Sequence, residues 1–460
     1  MHVVNVSDVI ERQKVSGFIV WFVVLSALIM FFDGYDVGAM AYAAPSIIRD
    51  WQVERAAVAI VFSSAFVGMA IGSVAFGLIG DRFGRKPTLI AVLVIFGVFT
   101  LCCLLATNLT HLAIFRFFAG LGLGGLLPVN FALAIEYVPK RFRASVVTIG
   151  VVGWNLGLMS GGLVSAWLVP VYGWHLIFWI GGIGPLLVAL VALFTLPESL
   201  KYLVLSGKKR DGLIKTLRRL DPAATISSDT RFKLDDADEA DVTPGDRPSA
   251  WSIAPLFVGR LRFITPLLWV SYLTVTLTTY FITSWTPTLA NSLGVTAKTA
   301  ALGTSLVSVG VIVASLLMMR FLDRYGAIVI TIMPLLAIPL LLWVGAGGLS
   351  ENEFLVAMFA MGMLTGGAFN GVHSVAGLYY PSEIRAKAIG CAIFSSRLGS
   401  IFGPALGGYL LGMQLLLSDL YAVMTVPLLI FAVSIFSLGI LHRAMLRQQA
   451  GPMATASSMR

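Results

Sequence analysis

Twelve apolar stretches of about 20 residues alternate with short polar connectors along the 460-residue chain. An α-helix needs about that length to cross roughly 30 Å of hydrocarbon. They run approximately 18–43, 56–79, 87–106, 111–138, 144–169, 174–196, 262–290, 298–319, 328–347, 353–380, 386–412 and 418–442. The runs are continuous rather than alternating at period two, which excludes a β-barrel. The pattern predicts an all-α polytopic membrane protein with twelve transmembrane helices. Ahead of the first span, residues 1–17 are polar, and the span itself is too long for a secretory signal and lacks its small-residue cleavage site. Within them "SDVIER" predicts a short amphipathic helix, with Asp8 and Glu11 near its start.

Composition agrees. Of the residues 58% are hydrophobic and 12% charged, against about a quarter charged in soluble domains. A single core stops growing at roughly 250–300 residues, so the surplus apolar surface must face lipid. Forty-six glycines let membrane helices approach closely. The net charge of +9 is explained by placement. With the N-terminus inside, the outer side receives only Arg49, Arg55 and Lys298, and the spans hold Arg116 and Arg397. All other Lys and Arg fall on the inner side, which the positive-inside rule assigns to the cytoplasm, with both termini. The basic excess is therefore topological and implies no nucleic acid partner. Cys102, Cys103 and Cys391 lie in spans, and the five histidines show no metal-ligand spacing. No disulfide framework, metal or cofactor is expected.

The largest break is 197–261. Leu213, Leu217 and Leu220 recur there at helical spacing among basic residues, which predicts an amphipathic helix at the membrane surface. The acidic run "DDADEAD" (235–241) then reads as a linker. On either side the chain repeats itself at an offset of 242. "YVPKRFRAS" (137–145) aligns with "YYPSEIRAK" (379–387), Gly120 with Gly362, Gly157 with Gly399, and Asp81-Arg82 with Asp323-Arg324. Two six-helix bundles of the same orientation, at 18–196 and 262–442, suit a transporter whose halves rock around a midplane site. Residues 1–17, 197–261 and 443–460 become the cytoplasmic N-terminal segment, central loop and tail.

"GLIGDRFGRK" (77–86), between spans 2 and 3, resembles the loop motif of the major facilitator superfamily. Gly77 permits close packing, Gly84 a tight turn, and Asp81 caps or pairs with a helix end. Arg82, Arg85 and Lys86 reach for nearby carboxylates such as Glu136, in ion pairs that break as a cytoplasmic gate opens. The second copy, "MRFLDRYGAI", keeps Asp323 and Arg324 but lacks the basic pair. Asp33-Gly34-Tyr35-Asp36 in the first span, "RFFAGLGLGG" and "PSEIRAKAIG" resemble, within that superfamily, the aromatic acid:proton symporters. The resemblance implies the major facilitator fold of two pseudo-symmetric bundles. It also implies import of a small aromatic carboxylate (hydroxybenzoate, benzoate or chlorophenoxyacetate type) across a bacterial inner membrane.

Charges deep in spans cost roughly 2.5–3.5 kcal/mol each at a helix centre and usually face a cavity or a partner. Asp33 and Asp36 stand at i,i+3 and share a helical face. Repulsion and poor solvation make this pair the candidate proton carrier. Arg116, at similar depth in span 4, is the candidate partner of Asp36, and the three form the expected proton-coupling group. Arg397 replaces Asn155 of the first repeat, and its planar fork suits a substrate carboxylate. Apolar and hydrogen-bonding walls for a ring are expected from Tyr280, His373, Asn370, Asn155, Asn130, Trp154, Phe394 and Thr276. The expected machine is a monomeric symporter with protons as coupling ion and no nucleophile, metal or acid–base constellation of an enzyme. A proton-driven exporter with the same fold, or an aromatic-acid sensor, is the alternative.

Overall fold

The computed structural model describes residues 3–13, 16–206, 214, 231–233, 253–289, 292–325, 328–376 and 379–457. They are almost entirely helical, apart from two three-residue strands, Val3–Asn5 and Arg231–Lys233, paired in parallel. In chain order the helices are α1 (Val6–Arg12), α2 (Gly17–Trp51), α3 (Ala59–Phe83), α4 (Arg85–Cys102), α5 (Leu109–Tyr137), α6 (Lys140–Trp167), α7 (Val169–Tyr172), α8 (His175–Thr195) and α9 (Leu200–Ser206). They continue with α10 (Leu261–Trp285), α11 (Ala297–Tyr325), α12 (Ile328–Ala346), α13 (Glu351–Ala376), α14 (Ser382–Gly412), α15 (Leu417–Val423) and α16 (Thr425–Ser457). Eleven spans among the described residues are long and apolar enough to cross a membrane, and Ile330–Ala346 is a shorter apolar helix. These match the twelve expected spans. The first is longer than expected, because "AYAAPSIIRDW" continues α2 as far as Trp51. Leu213, Leu217, Leu220 and the acidic run 235–241 lie outside the described residues.

Helix starts are set by local and by distant groups. Asn108 Oδ1 accepts from His111 N at 2.8 Å to cap α5. Ser350 and Glu353 cap α13 reciprocally, Ser350 N donating to Glu353 Oε2 at 2.8 Å and Glu353 N to Ser350 Oγ at 3.4 Å. Two others borrow carboxylates from far along the chain. The Glu11 side chain of α1 accepts from Lys140 N at the start of α6, at 3.1 and 3.2 Å. Glu198, just after α8, accepts from Lys86 N at the start of α4, at 3.1 Å. Negative charge at these positive helix ends is favourable.

Contacts divide the chain into two units, each described by itself. The first holds Met1–Ala39, Ser64–Gly161 and Tyr172–Ala250; the second holds Met40–Ser63, Gly162–Val171 and Trp251–Arg460. Several of their close contacts recur at the sequence offset. A methyl group built on Gly157 would overlap the Phe31 carbonyl oxygen, and one on Gly399 would overlap that of Leu273. Gly120 abuts the Ala65 carbonyl and Gly362 that of Val307; Gly68 abuts Phe117 and Gly310 abuts Phe359. Arg143 Nε donates to Val138 O at 3.1 Å, and Arg385 Nε to Tyr380 O at 3.3 Å. Each partner also lies at the offset of 242 from its counterpart, so duplication preserved the backbone-to-backbone contacts that only glycine allows.

In the second unit, Ser63 Oγ donates to Ile401 O at 3.1 Å and Trp285 Nε1 to Pro404 O at 3.1 Å. The Phe62 ring meets Trp285 edge-on at 5.5 Å, and Lys298 Nζ sits 3.6 Å over Trp167. Thus the end of α2 from Met40, the start of α3 to Ser63 and the end of α6 from Gly162 belong to this unit.

The glycine contacts yield a direct test. Overpacking typically costs about 1–3 kcal/mol, so Gly157→Ala should lower the unfolding temperature of the detergent-purified protein, and Gly399→Ala should do the same. Gly390→Ala, where an added methyl meets nothing within 4 Å, should be neutral or slightly stabilising.

Candidate functional site

Each residue of Asp33-Gly34-Tyr35-Asp36 serves a different neighbour in the first unit. Gly34 lets α2 touch α6, since a side chain there would overlap the Trp154 carbonyl. Tyr35 OH donates to Ile177 O of α8 at 3.3 Å. Asp36 faces α5, where Arg116 NH1 donates to both carboxylate oxygens at 2.8 Å and NH2 donates to Asp36 O at 3.3 Å. Thr100 of α4 adds a hydrogen bond to Asp36 Oδ1 at 3.3 Å. Arg116 is 2% exposed and Asp36 0%. Of the two aspartates, then, Asp36 holds the arginine, while Asp33, also buried, shares its helical face.

Asn130 Nδ2, of the expected ring-binding group, donates to Ser26 Oγ at 2.8 Å and joins α5 to α2. Asn155 Nδ2 turns back to Val151 O of its own helix at 2.9 Å. Both are buried, and their Oδ1 atoms have no hydrogen-bond partner among the described residues. Trp154 contributes its backbone to the contact with Gly34.

The loop motif surrounds two carboxylates. Arg85 pairs with Asp81 one turn earlier and lies 3.9 Å from Glu136 through Nε. Lys86 Nζ donates to Leu193 O at 2.7 Å, and Arg82 stacks over the Phe83 ring at 5.5 Å. Gly84 has φ +105° and lies against the Glu198 carboxylate, so a side chain there would be both strained and obstructed. Gly77 corrects an expectation: a methyl group built on it meets nothing within 4 Å, so the close packing expected there is absent among the described residues. The side chains of Asp323 and Arg324 lie outside the described residues.

The second unit gathers the other expected residues around α10. Thr276 bonds Ser396 Oγ of α14 at 3.0 Å, next to Arg397. Arg397 is partly exposed, and among the described residues it has no salt bridge, in contrast to Arg116. Phe394, one turn before Arg397, is exposed, and Tyr280 is half-buried. Asn370 Nδ2 donates to Ser315 Oγ at 2.7 Å. His373 Nδ1 lies 3.0 Å from Tyr272 OH.

The sequence profile of the Major Facilitator Superfamily matches residues 26–254 and 268–455. The chain belongs to the Major Facilitator Superfamily. It is 34% identical to the 4-hydroxybenzoate transporter PcaK of Acinetobacter baylyi over 89% of this chain and 88% of that protein. It is 32% identical to a gallate transporter of Pseudomonas putida over 98% of both, and 29% identical to the benzoate transport protein of A. baylyi over 94% and 92%. In fold it is similar to the xylose transporter XylE of Escherichia coli, with TM-score 0.68, 16% identity and 92% and 98% of the chains covered. A bacterial homologue of the lysosomal transporter Spinster gives TM-score 0.67 at 17% identity, covering 94% and 99%. This superfamily member is thus a multi-pass membrane transporter and not an enzyme.

Several contacts escaped the sequence reading. Thr100 and Ser396 are ordinary hydroxyls in apolar helices, and no local pattern marks them. Glu198 leaves a trace, as an acid directly after the last turn of α8 on a side otherwise crowded with Lys and Arg.

The buried pair predicts a charge rule. Removing one partner of such a pair costs about 3–5 kcal/mol, whereas replacing both leaves no orphan charge. Arg116→Gln should therefore unfold at markedly lower temperature in detergent than Asp36→Asn/Arg116→Gln. Additive losses in the double variant would contradict the pair.

Proposed function

We propose that this transporter imports an aromatic carboxylate together with protons across a bacterial inner membrane, by alternating access. Both termini are cytoplasmic, and it works as a monomer with no cofactor beyond the coupling proton. The observation that carries the reading is the contrast between two intramembrane arginines. Arg116 is neutralised by Asp36 at 2.8 Å, whereas Arg397 is partly exposed and has no salt bridge among the described residues. A guanidinium in a span needs an anion, and a carboxylate-bearing substrate supplies it bidentately. The transporters named above for 4-hydroxybenzoate, gallate and benzoate all carry aromatic carboxylates, which supports the same class here.

In this cycle Asp36 and Arg116 form the lock, and Asp33 on the same face takes up the proton from outside. The acid then binds Arg397, neutralising the second arginine and allowing the halves to rock. The higher cytoplasmic pH draws the proton off and releases the acid. The Arg85–Asp81–Glu136 cluster and the Glu198 cap at α4 hold the cytoplasmic loop and reorganise as that side opens. Each pH unit of gradient supplies about 1.4 kcal/mol per proton.

The test is uptake of labelled 4-hydroxybenzoate, gallate and benzoate into proteoliposomes. Accumulation should rise with an acid-outside gradient and collapse with a protonophore. Asp33→Asn should abolish the response to the gradient. Arg397→Lys should weaken acid binding at least about tenfold, as expected on losing a bidentate charged pair, at unchanged unfolding temperature. Uptake indifferent to the gradient, or unchanged affinity in Arg397→Lys, contradicts the proposal.

A further inference from the structure

His373 is both held and accessible. Its Nδ1 bonds Tyr272 OH at 3.0 Å, and its ring stands edge-on to Tyr272 at 4.7 Å and to Phe369 at 4.6 Å. Tyr272 itself is 0% exposed, so these contacts fix the imidazole from the interior. Yet His373 is exposed, and its Nε2 has no hydrogen-bond partner among the described residues. A histidine whose one nitrogen is bound presents a defined chemistry at the other.

The helix that orients His373 also seats the residue beside Arg397. Tyr272 and Thr276 lie four positions apart on α10, hence on one face and about 6 Å apart along the axis. Thr276 is bonded to Ser396, the neighbour of Arg397. One turn of α10 thus holds the imidazole of His373 at Tyr272 and the neighbour of Arg397 at Thr276.

We propose that His373, positioned by Tyr272, recognises a hydroxyl group on the ring of the transported acid, so that hydroxylated aromatic carboxylates are preferred to unsubstituted ones. This rests on the transport reading above and specifies its substrate. A hydroxyl is the matching group for either tautomer. If Tyr272 donates to Nδ1, then Nε2–H donates to the hydroxyl oxygen. If Tyr272 accepts from Nδ1–H, then Nε2 accepts the hydroxyl proton. Phe369 and the exposed ring of Phe394 supply apolar surface for the rest of the substrate.

The experiment measures dissociation constants of 4-hydroxybenzoate and benzoate for the purified full-length protein in nanodiscs, with uptake of both acids in parallel. The parent should favour 4-hydroxybenzoate. In His373→Leu that preference should shrink about five- to tenfold, the scale of one neutral hydrogen bond, with benzoate losing less. Tyr272→Phe keeps the ring but frees the imidazole, and should shrink the preference in the same direction, raising KM for 4-hydroxybenzoate with kcat little changed. It also carries the test should the His373 variant fail to fold. A preference unchanged in both variants, equal weakening of both acids, or loss of gradient dependence for both alike overturns the assignment while leaving acid transport standing. Failure of the parent to bind either acid overturns both readings.

Discussion

A guanidinium buried in a span is costly without an anion beside it, and in this chain that requirement joins three helices. Arg116 of α5 grips both oxygens of Asp36 on α2, and Thr100 of α4 closes the same carboxylate. The pair has almost no contact with solvent, so its Coulomb attraction is little screened and its separation would be correspondingly costly. Gly34 and Gly157 let α2 and α6 meet at backbone distance, and the Tyr35 hydroxyl holds α8. The first unit is thereby fastened around one turn of α2, with two acidic residues on that turn.

The second unit carries the same backbone contacts at the same register but different chemistry. Gly399 reproduces Gly157 against the corresponding carbonyl, yet Arg397 stands where the first repeat has Asn155. Asn155 bonds its own helix, whereas Arg397 has no such neutraliser among the described residues. Duplication supplied two equivalent frames, and divergence placed a paired charge in one and an open charge in the other. This asymmetry is the physical basis of the proposal that proton chemistry lies in the first unit and anion recognition in the second.

The sequence discloses what hydrocarbon length and repetition impose. The spans are legible because each crossing must hide its backbone in an unbroken apolar helix, and the repeat because several close-contact glycines, such as Gly120 and Gly157, recur at one offset. The pairing of Asp36 with Arg116 is legible because deep charges are few. Contacts made by unremarkable residues are hidden: the Glu198 cap on α4, the Thr100 hydroxyl and the Tyr272–His373 bond each depend on a distant helix. The tie from Asn130 to Ser26 is hidden in the same way, since a polar side chain in a span does not disclose which helix it joins. Gly77 shows that a glycine in a motif need not sit at a close approach.

The central claim is that acid and proton travel together. The most direct measurement is acidification of the lumen of proteoliposomes loaded with a pH-sensitive dye, when 4-hydroxybenzoate is added outside without any imposed gradient. Protein-free vesicles subtract passive entry of the weak acid. The account predicts protein-dependent acidification that keeps pace with uptake of the labelled acid and disappears in Asp33→Asn. Protein-dependent uptake with no accompanying acidification would contradict it.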